Sequence, residues 1–267
     1  MYLARDTGRA REHLAKAHGL YIPGGQDATK DDKEKVTGEA YEQALIARAR
    51  NSGLPTLGIC GGSRCLARGF GAPEEALSGA DLMTHNQKGT AAMAHSLTFP
   101  DPSTILGGAA LGRKTVDAIN STHQKIVAYE RKTGELSHVN RLTTDEPELT
   151  VSARSPEGHP EGFETTHGAP IVGVTSHPEA IHGASSAARK QATPQGRDWS
   201  DRVFKGFEQS MKAYAGRQQV NEELTDIAKR YREYYPNRAT LQPGWEPYNE
   251  EDTVDYAWRD YLRNFPK

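Results

Sequence analysis

Cys60 lies in the run Leu57-Gly58-Ile59-Cys60-Gly61-Gly62, where an apolar strand passes through a Gly-x-Cys-x-Gly turn into a helix-like stretch. Small residues on both sides permit the sharp, strained backbone of a nucleophile elbow, which exposes the apical side chain to a substrate. A thiol there also caps a helix N-terminus, whose dipole favours the thiolate. Cysteine catalysis further requires a base and a group to orient that base. The run Ile171-Val172-Gly173-Val174-Thr175-Ser176-His177-Pro178-Glu179 offers both at the end of an apolar strand. Pro178 biases His177 towards an extended conformation. Residues i and i+2 of an extended segment face the same way, so Glu179 can lie beside the His177 imidazole, fix its tautomer and stabilise the imidazolium. Acyl chemistry also needs donors for an oxyanion. The N–H of Gly61 is one candidate, and the Pro23-Gly24-Gly25 turn offers a second close approach of main chain.

These residues need elements to hold them. Arg9 to His18 reads as a helix ending at Gly19, Leu20 to Ile22 as a short strand, and Asp32 to Asn51 as a long helix. Thr56 to Ile59 is the strand entering the elbow, and Ser63 to Arg68 the helix leaving it. Pro73 to Lys114 is looser. Strand-like segments follow at Thr115 to Ile119, Ile126 to Tyr129, Leu149 to Ala153 and Ile171 to Thr175. Early strand–helix alternation predicts an α/β fold: a doubly wound, mostly parallel sheet. The character changes near Tyr214. Seven of the eleven tyrosines lie from there onward, with Trp245 and Trp258, and Val220, Leu224, Ile227 and Tyr231 recur at helical spacing. Val254 to Phe265 reads as a second short helix. The expected organisation is a catalytic domain over residues 1–213 and an aromatic-rich helical extension over 214–267, packed on the core or offering a partner-binding surface.

With 267 residues, net charge −2, pI near 6.6 and mean hydropathy −0.74, the chain gives no reason to expect nucleic acid or a membrane surface as partner. It has no apolar run of the roughly 20 residues that span a bilayer, and its first ten residues do not resemble a signal peptide. Cys60 and Cys65 make no disulfide framework, so the expected setting is the reducing cytoplasm. Cys65 reads as a small core residue behind the elbow. The ten histidines show no zincin or finger spacing, and no metal is expected.

Taken in order, Tyr21-Ile22-Pro23-Gly24-Gly25, Gly58-Ile59-Cys60-Gly61-Gly62 and His177-Pro178-Glu179 resemble the class I glutamine amidotransferase superfamily. Asn120-Ser121-Thr122-His123-Gln124, His95-Ser96-Leu97 with Thr104-Ile105-Leu106, and Ala153 to Gly158 followed by Phe163-Glu164 resemble its gamma-glutamyl-gamma-aminobutyrate hydrolase-type branch. The resemblance covers roughly Gly19 to Tyr214. It implies a flavodoxin-like α/β sandwich that hydrolyses a gamma-glutamyl amide through a thioester, without metal or organic cofactor. Cys60 would be the nucleophile, His177 the base and then acid, Glu179 the orienting group, and Gly25 and Gly61 the oxyanion donors. Gly24, Arg64, Asn120, Ser121 and His123 would contact the substrate or support its pocket.

The chain departs from that branch at three places. Gly61-Gly62-Ser63-Arg64 replaces the usual Arg-Gly-x-Gln after the nucleophile, leaving Arg64 to substitute one helical turn along. Thr175-Ser176 replaces Gln-Trp before His177, removing an aromatic wall. Both losses of bulk would admit a larger acyl donor, such as a glutamyl group on a peptide or protein. Only eighteen residues precede Gly19, where the branch has a strand–helix–strand unit. Its absence would leave a sheet edge for the extension or another chain to cover, as in a homo-oligomer, or would mark a fragment. Two alternatives to the hydrolase stand at this point. One is a glutaminase subunit supplying ammonia to a synthetase, and the other is a silent relative acting as a binding module.

Overall fold

The computed structural model describes residues 9–24, 33–72, 74–77, 79, 93–120, 124–126, 136–139, 147–182 and 192–234. Among these residues are ten strands: β1 Leu20–Ile22, β2 Thr56–Ile59, β3 Glu74–Ala76, β4 Met93–Thr98, β5 Thr115–Asn120, β6 Gln124–Ile126, β7 Leu136–Val139, β8 Pro147–Arg154, β9 Pro160–Thr165 and β10 Ile171–Val174. The named helices are α1 Lys33–Ser52, α2 Gly61–Gly69, α3 Ile105–Ala109 and α4 Pro194–Tyr234, with a 3-10 turn at Pro178–His182. The chain divides into two compact units, Met1–Lys212 and Ala213–Lys267.

In the first unit the main sheet has the order β1-β2-β10-β9-β8-β4-β5, with β7 also paired to β8; β3 and β6 form a separate ribbon. The α/β sandwich is the expected class, but the sheet is mixed rather than mostly parallel. Among the described strands, β1–β2 and β2–β10 pair in parallel, whereas β10–β9, β9–β8, β8–β4 and β4–β5 are antiparallel. The parallel centre reads clearly because β2 and β10 are buried at every position, as strands covered on both faces must be. The antiparallel half is harder to read. β9, Pro-Glu-Gly-Phe-Glu-Thr, is almost wholly buried although it carries two glutamates, so its composition hides a strand.

Each face of the sheet has its own core. On one side Ile46 of α1 and Cys65, Leu66 and Ala67 of α2 join Ile22, Leu149, Val151, Phe163 and Ile171. On the other, Trp199 and Val203 of α4 and Leu106 of α3 join Leu57, Leu97, Val116, Val172 and Val174. Trp199, fully buried, still has its indole N–H satisfied, donating to the Leu106 carbonyl at 3.2 Å. Glu164 caps α3: its carboxylate accepts from the Ile105 N–H at 2.7 and 2.9 Å, satisfying a donor that a helix start leaves open. Burial, the largest influence, holds the Glu164 pKa up against these bonds.

Several boundaries differ from expectation. The first helix spans residues 9–14 rather than 9–18. Thr175 lies outside β10, and the strand expected at Ile126 to Tyr129 is seen at Gln124–Ile126, its remainder lying outside the described residues. The segment from Val254 to Phe265 also lies outside them. In the second unit, α4 from Ala213 onward carries local side-chain pairs. Gln218 donates to the Tyr214 hydroxyl at 3.1 Å, Arg217 stacks 4.9 Å over the same ring, and Arg230 pairs with Asp226. Val220 and Ile227 are exposed there. Among the described residues, no helix is long and apolar enough to cross a membrane.

α4 has a simple stability handle at Gly206. A Cβ built there meets nothing within 4 Å. Gly206→Ala therefore gains helix propensity without a clash, and thermal or denaturant unfolding should show stabilisation of about 0.5–1 kcal/mol.

Candidate active site

The site forms where three parallel strands end together. In the β2–β10 ladder Ile59 lies opposite Val174, and in the β1–β2 ladder Ile22 lies opposite Gly58. Cys60, Thr175 and Pro23 therefore leave the sheet at the same edge, in the crevice beyond the carboxyl ends where α/β sheets place their ligands. The Cys60 N–H donates to the Val174 carbonyl at 2.9 Å, tying the elbow to the strand that leads to His177.

Cys60 has the expected strained backbone, with φ 51° and ψ −113°. A non-glycine residue with positive φ costs on the order of 1–3 kcal/mol and persists only where its surroundings enforce it. Here the Cys60 carbonyl accepts from the Arg64 N–H at 3.2 Å and from the Ser63 hydroxyl at 2.7 Å. Ser63 is not among the residues expected at the site, although a serine three residues beyond Cys60 is the available signal. Gly62 is required because a Cβ there would lie 2.1 Å from the Ile22 carbonyl oxygen. A side chain at 62 would drive α2 and β1 apart.

Gly24 brings the constellation together. A Cβ built on it would lie 3.0 Å from Cys60 Cβ, 3.6 Å from Cys60 Sγ and 3.4 Å from His177 Cε1. The glycine thus closes one wall over both thiol and imidazole, and a larger residue would intrude on the space between them. His177 Nδ1 lies 2.6 Å from Glu179 Oε1. The contact is the one expected, by a different route: Pro178 to His182 is a 3-10 turn, closed by the Ala180 N–H on the His177 carbonyl at 3.1 Å, not an extended segment. Glu179 Oε2 is enclosed with no hydrogen-bond partner among the described residues. Tyr21, half-exposed on β1, has its phenol pKa pushed up by burial and then by the Glu179 charge. No pattern of residues signals that proximity.

The imidazole environment is the clearest electrostatic feature. Burial, the largest single influence, pushes the His177 pKa down. Hydrogen bonds and charge from Cys60 and Glu179 together outweigh it and raise the value to about 10. A ring that gains a proton between a thiol and a carboxylate can take the thiol proton and later return it. Cys65 is the opposite case. Burial and then the bond from its thiol to Glu42 push it up to about 12, which leaves an inert buried thiol.

Gly61 opens α2, immediately after Cys60, and Arg64 is buried on the first turn. Asn120 closes β5, a strand in contact with the 3-10 turn that carries Glu179. Gly25, Ser121 and His123 lie outside the described residues. Among the described residues no cluster of His, Cys, Asp and Glu could hold a metal ion.

The doubly covered α/β sheet, the turn at Cys60 and the His177–Glu179 contact agree with the class I glutamine amidotransferase-like superfamily that the sequence resembles. The chain belongs to the Peptidase C26 family, whose model matches residues 1–179. The same fold occurs in a proposed GMP synthase subunit from Thermoplasma acidophilum, at TM-score 0.51 and 19% identity over 80% of this chain and 82% of that one. Looser likenesses are a glutamine amidotransferase from Thermotoga maritima, at TM-score 0.41 and 15% identity over 75% and 72%, and the glutaminase domain of CTPS from Trypanosoma brucei with bound acivicin, at TM-score 0.47 and 15% identity over 74% and 75%. No curated protein sequence matches.

Two expectations follow. Iodoacetamide at neutral pH should modify Cys60 and spare Cys65, as read by peptide mass spectrometry. The second concerns pH. With a folded pKa above the ordinary 6.5, His177 binds its proton more tightly in the native state. Its contribution to stability is complete below pH 6.5 and is lost as pH rises through about 10. Cys60→Ala removes part of what raises the pKa and leaves the burial. Its unfolding free energy should therefore depend less on pH across that window, as denaturant titrations at stepped pH would show.

Proposed function

We propose that the protein is a cysteine hydrolase of gamma-glutamyl amides, with Cys60 as nucleophile, His177 as general base and acid, and Glu179 as the group that orients His177. The observation that carries this reading is the convergence of a strained Cys60 and a Glu179-bound His177 across Gly24. In the first half-reaction His177 takes the Cys60 proton and the sulfur attacks the gamma-carbonyl carbon. The oxyanion is met by the Gly61 N–H and, on the family resemblance, that of Gly25. The tetrahedral adduct expels the amine as His177 returns the proton, leaving a thioester on Cys60. Water, deprotonated by His177, then attacks the thioester, and glutamate leaves as the thiol is re-formed.

Membership of the Peptidase C26 family supports hydrolysis. The short side chains of Thr175 and Ser176 before His177 favour an acyl donor larger than glutamine. Arg64, Asn120, Ser121 and His123 are proposed to bind the glutamyl group or to support its pocket, and the aromatic-rich extension from residue 214 is proposed as a separate domain.

Incubation with glutamine and with a gamma-glutamyl dipeptide, measuring released ammonia or amine, tests the reading. The dipeptide should be turned over with the higher kcat/KM, and Cys60→Ala should lower kcat by at least about 10³-fold, the scale of losing a covalent nucleophile. Turnover unaffected by Cys60→Ala would reject the mechanism. Equal or better turnover of free glutamine would reject the larger donor.

A further inference from the structure

A buried glutamate and a largely enclosed histidine stand outside the Cys60–His177–Glu179 group yet are joined to the segment that carries it. Glu161, the second residue of β9, is 2% exposed. Its Oε1 lies 3.5 Å from Nε2 of His95 on β4, and the two side chains are 3% and 9% exposed. The pair links strands that are not neighbours, since β8 lies between β9 and β4 in the sheet. The main chain of Glu161 does a second job. Its carbonyl accepts from the Thr175 N–H at 2.7 Å, one residue past the last β9–β10 ladder pair at Gly162 and Val174. Thr175 is therefore held by Glu161 after the ladder has ended, two residues before His177.

We propose that His95 and Glu161 form a positioning pair for the base: by fixing Glu161 they fix the Thr175–Ser176 approach and keep the His177 imidazole aligned with Cys60. This rests on the reading of Cys60 and His177 as an acyl-transfer pair. The physical reason is that a carboxylate withdrawn from water needs its partners. Replacing His95 removes one partner of Glu161, and a shift of the Glu161 side chain in response would carry its carbonyl with it. The Thr175 N–H bonded to that carbonyl then moves too. Neither His95 nor Glu161 is assigned to the substrate pocket, so the loss should fall on kcat rather than KM.

The strand supplies its own control. Glu164, three residues on, is also buried, but it caps α3. Glu164→Gln should lower Tm with kcat changed less than twofold. Glu161→Gln and His95→Gln should each lower kcat at least tenfold with KM changed less than twofold, and the double variant should be no worse than the poorer single one. The second readout needs no substrate: the iodoacetamide rate at Cys60, compared among wild type, His177→Ala, His95→Gln and Glu161→Gln. Slowing in His177→Ala and in both pair variants is the expected result. Slowing in His177→Ala alone, or kcat losses that merely track Tm as in Glu164→Gln, overturns the positioning role and leaves the acyl-transfer reading standing. A rate insensitive to His177→Ala overturns both.

Discussion

The site depends on the register of two parallel strands. Ile59 opposite Val174 brings the chain out of β2 and β10 at one level, and the Cys60 N–H bonded to the Val174 carbonyl locks that level. A one-residue slip would turn every side chain of one strand to the opposite face and carry His177 away from the thiol. The slip is opposed because both strands are buried throughout and feed two separate cores, with Leu57 and Val172 on one face and Ile171 on the other. Packing thus sets how far Cys60 lies from His177.

Strain and support are balanced around that register. Cys60 takes a backbone conformation that a free chain would avoid, and the cores below it, the Ser63 hydroxyl and the tight seating of Gly62 under Ile22 hold it there. The same seating draws β1 against α2, which sets Gly24 over the thiol and the imidazole. A single close approach of backbone to backbone therefore serves both the elbow and the wall of the site. The two cysteines have different neighbours. Cys60 faces the His177 imidazole, whereas Cys65, five residues away, bonds to Glu42 and is pushed up to about 12.

Much of the centre was legible because the local rules there are strict. An elbow needs small residues on both sides of its nucleophile, and a doubly buried strand is continuously apolar, so Gly58 to Gly62 and Ile171 to Val174 declare themselves. The antiparallel half was not legible in the same way. β9 carries Glu161 and Glu164 in a buried strand, and each is accommodated by a partner remote in sequence, His95 or the α3 amides. Composition can only read such residues as solvent-facing. The long helix Pro194–Tyr234 was only partly legible, since its apolar face alternates with charged i,i+4 pairs such as Glu208 and Lys212.

The order of residues alone marks a cysteine on a sharp turn, a glycine-rich approach before it, and a histidine with a carboxylate two residues on. These are consequences of local stereochemistry and need no knowledge of the rest of the chain. The tertiary structure decided how they meet. It put His177 and Glu179 in contact through a 3-10 turn rather than an extended segment, raised the imidazole pKa, and placed Glu161, paired with His95 of β4, on the strand that anchors Thr175. Each of these depends on groups far apart in the chain being brought out of water together, and local sequence carries no record of that.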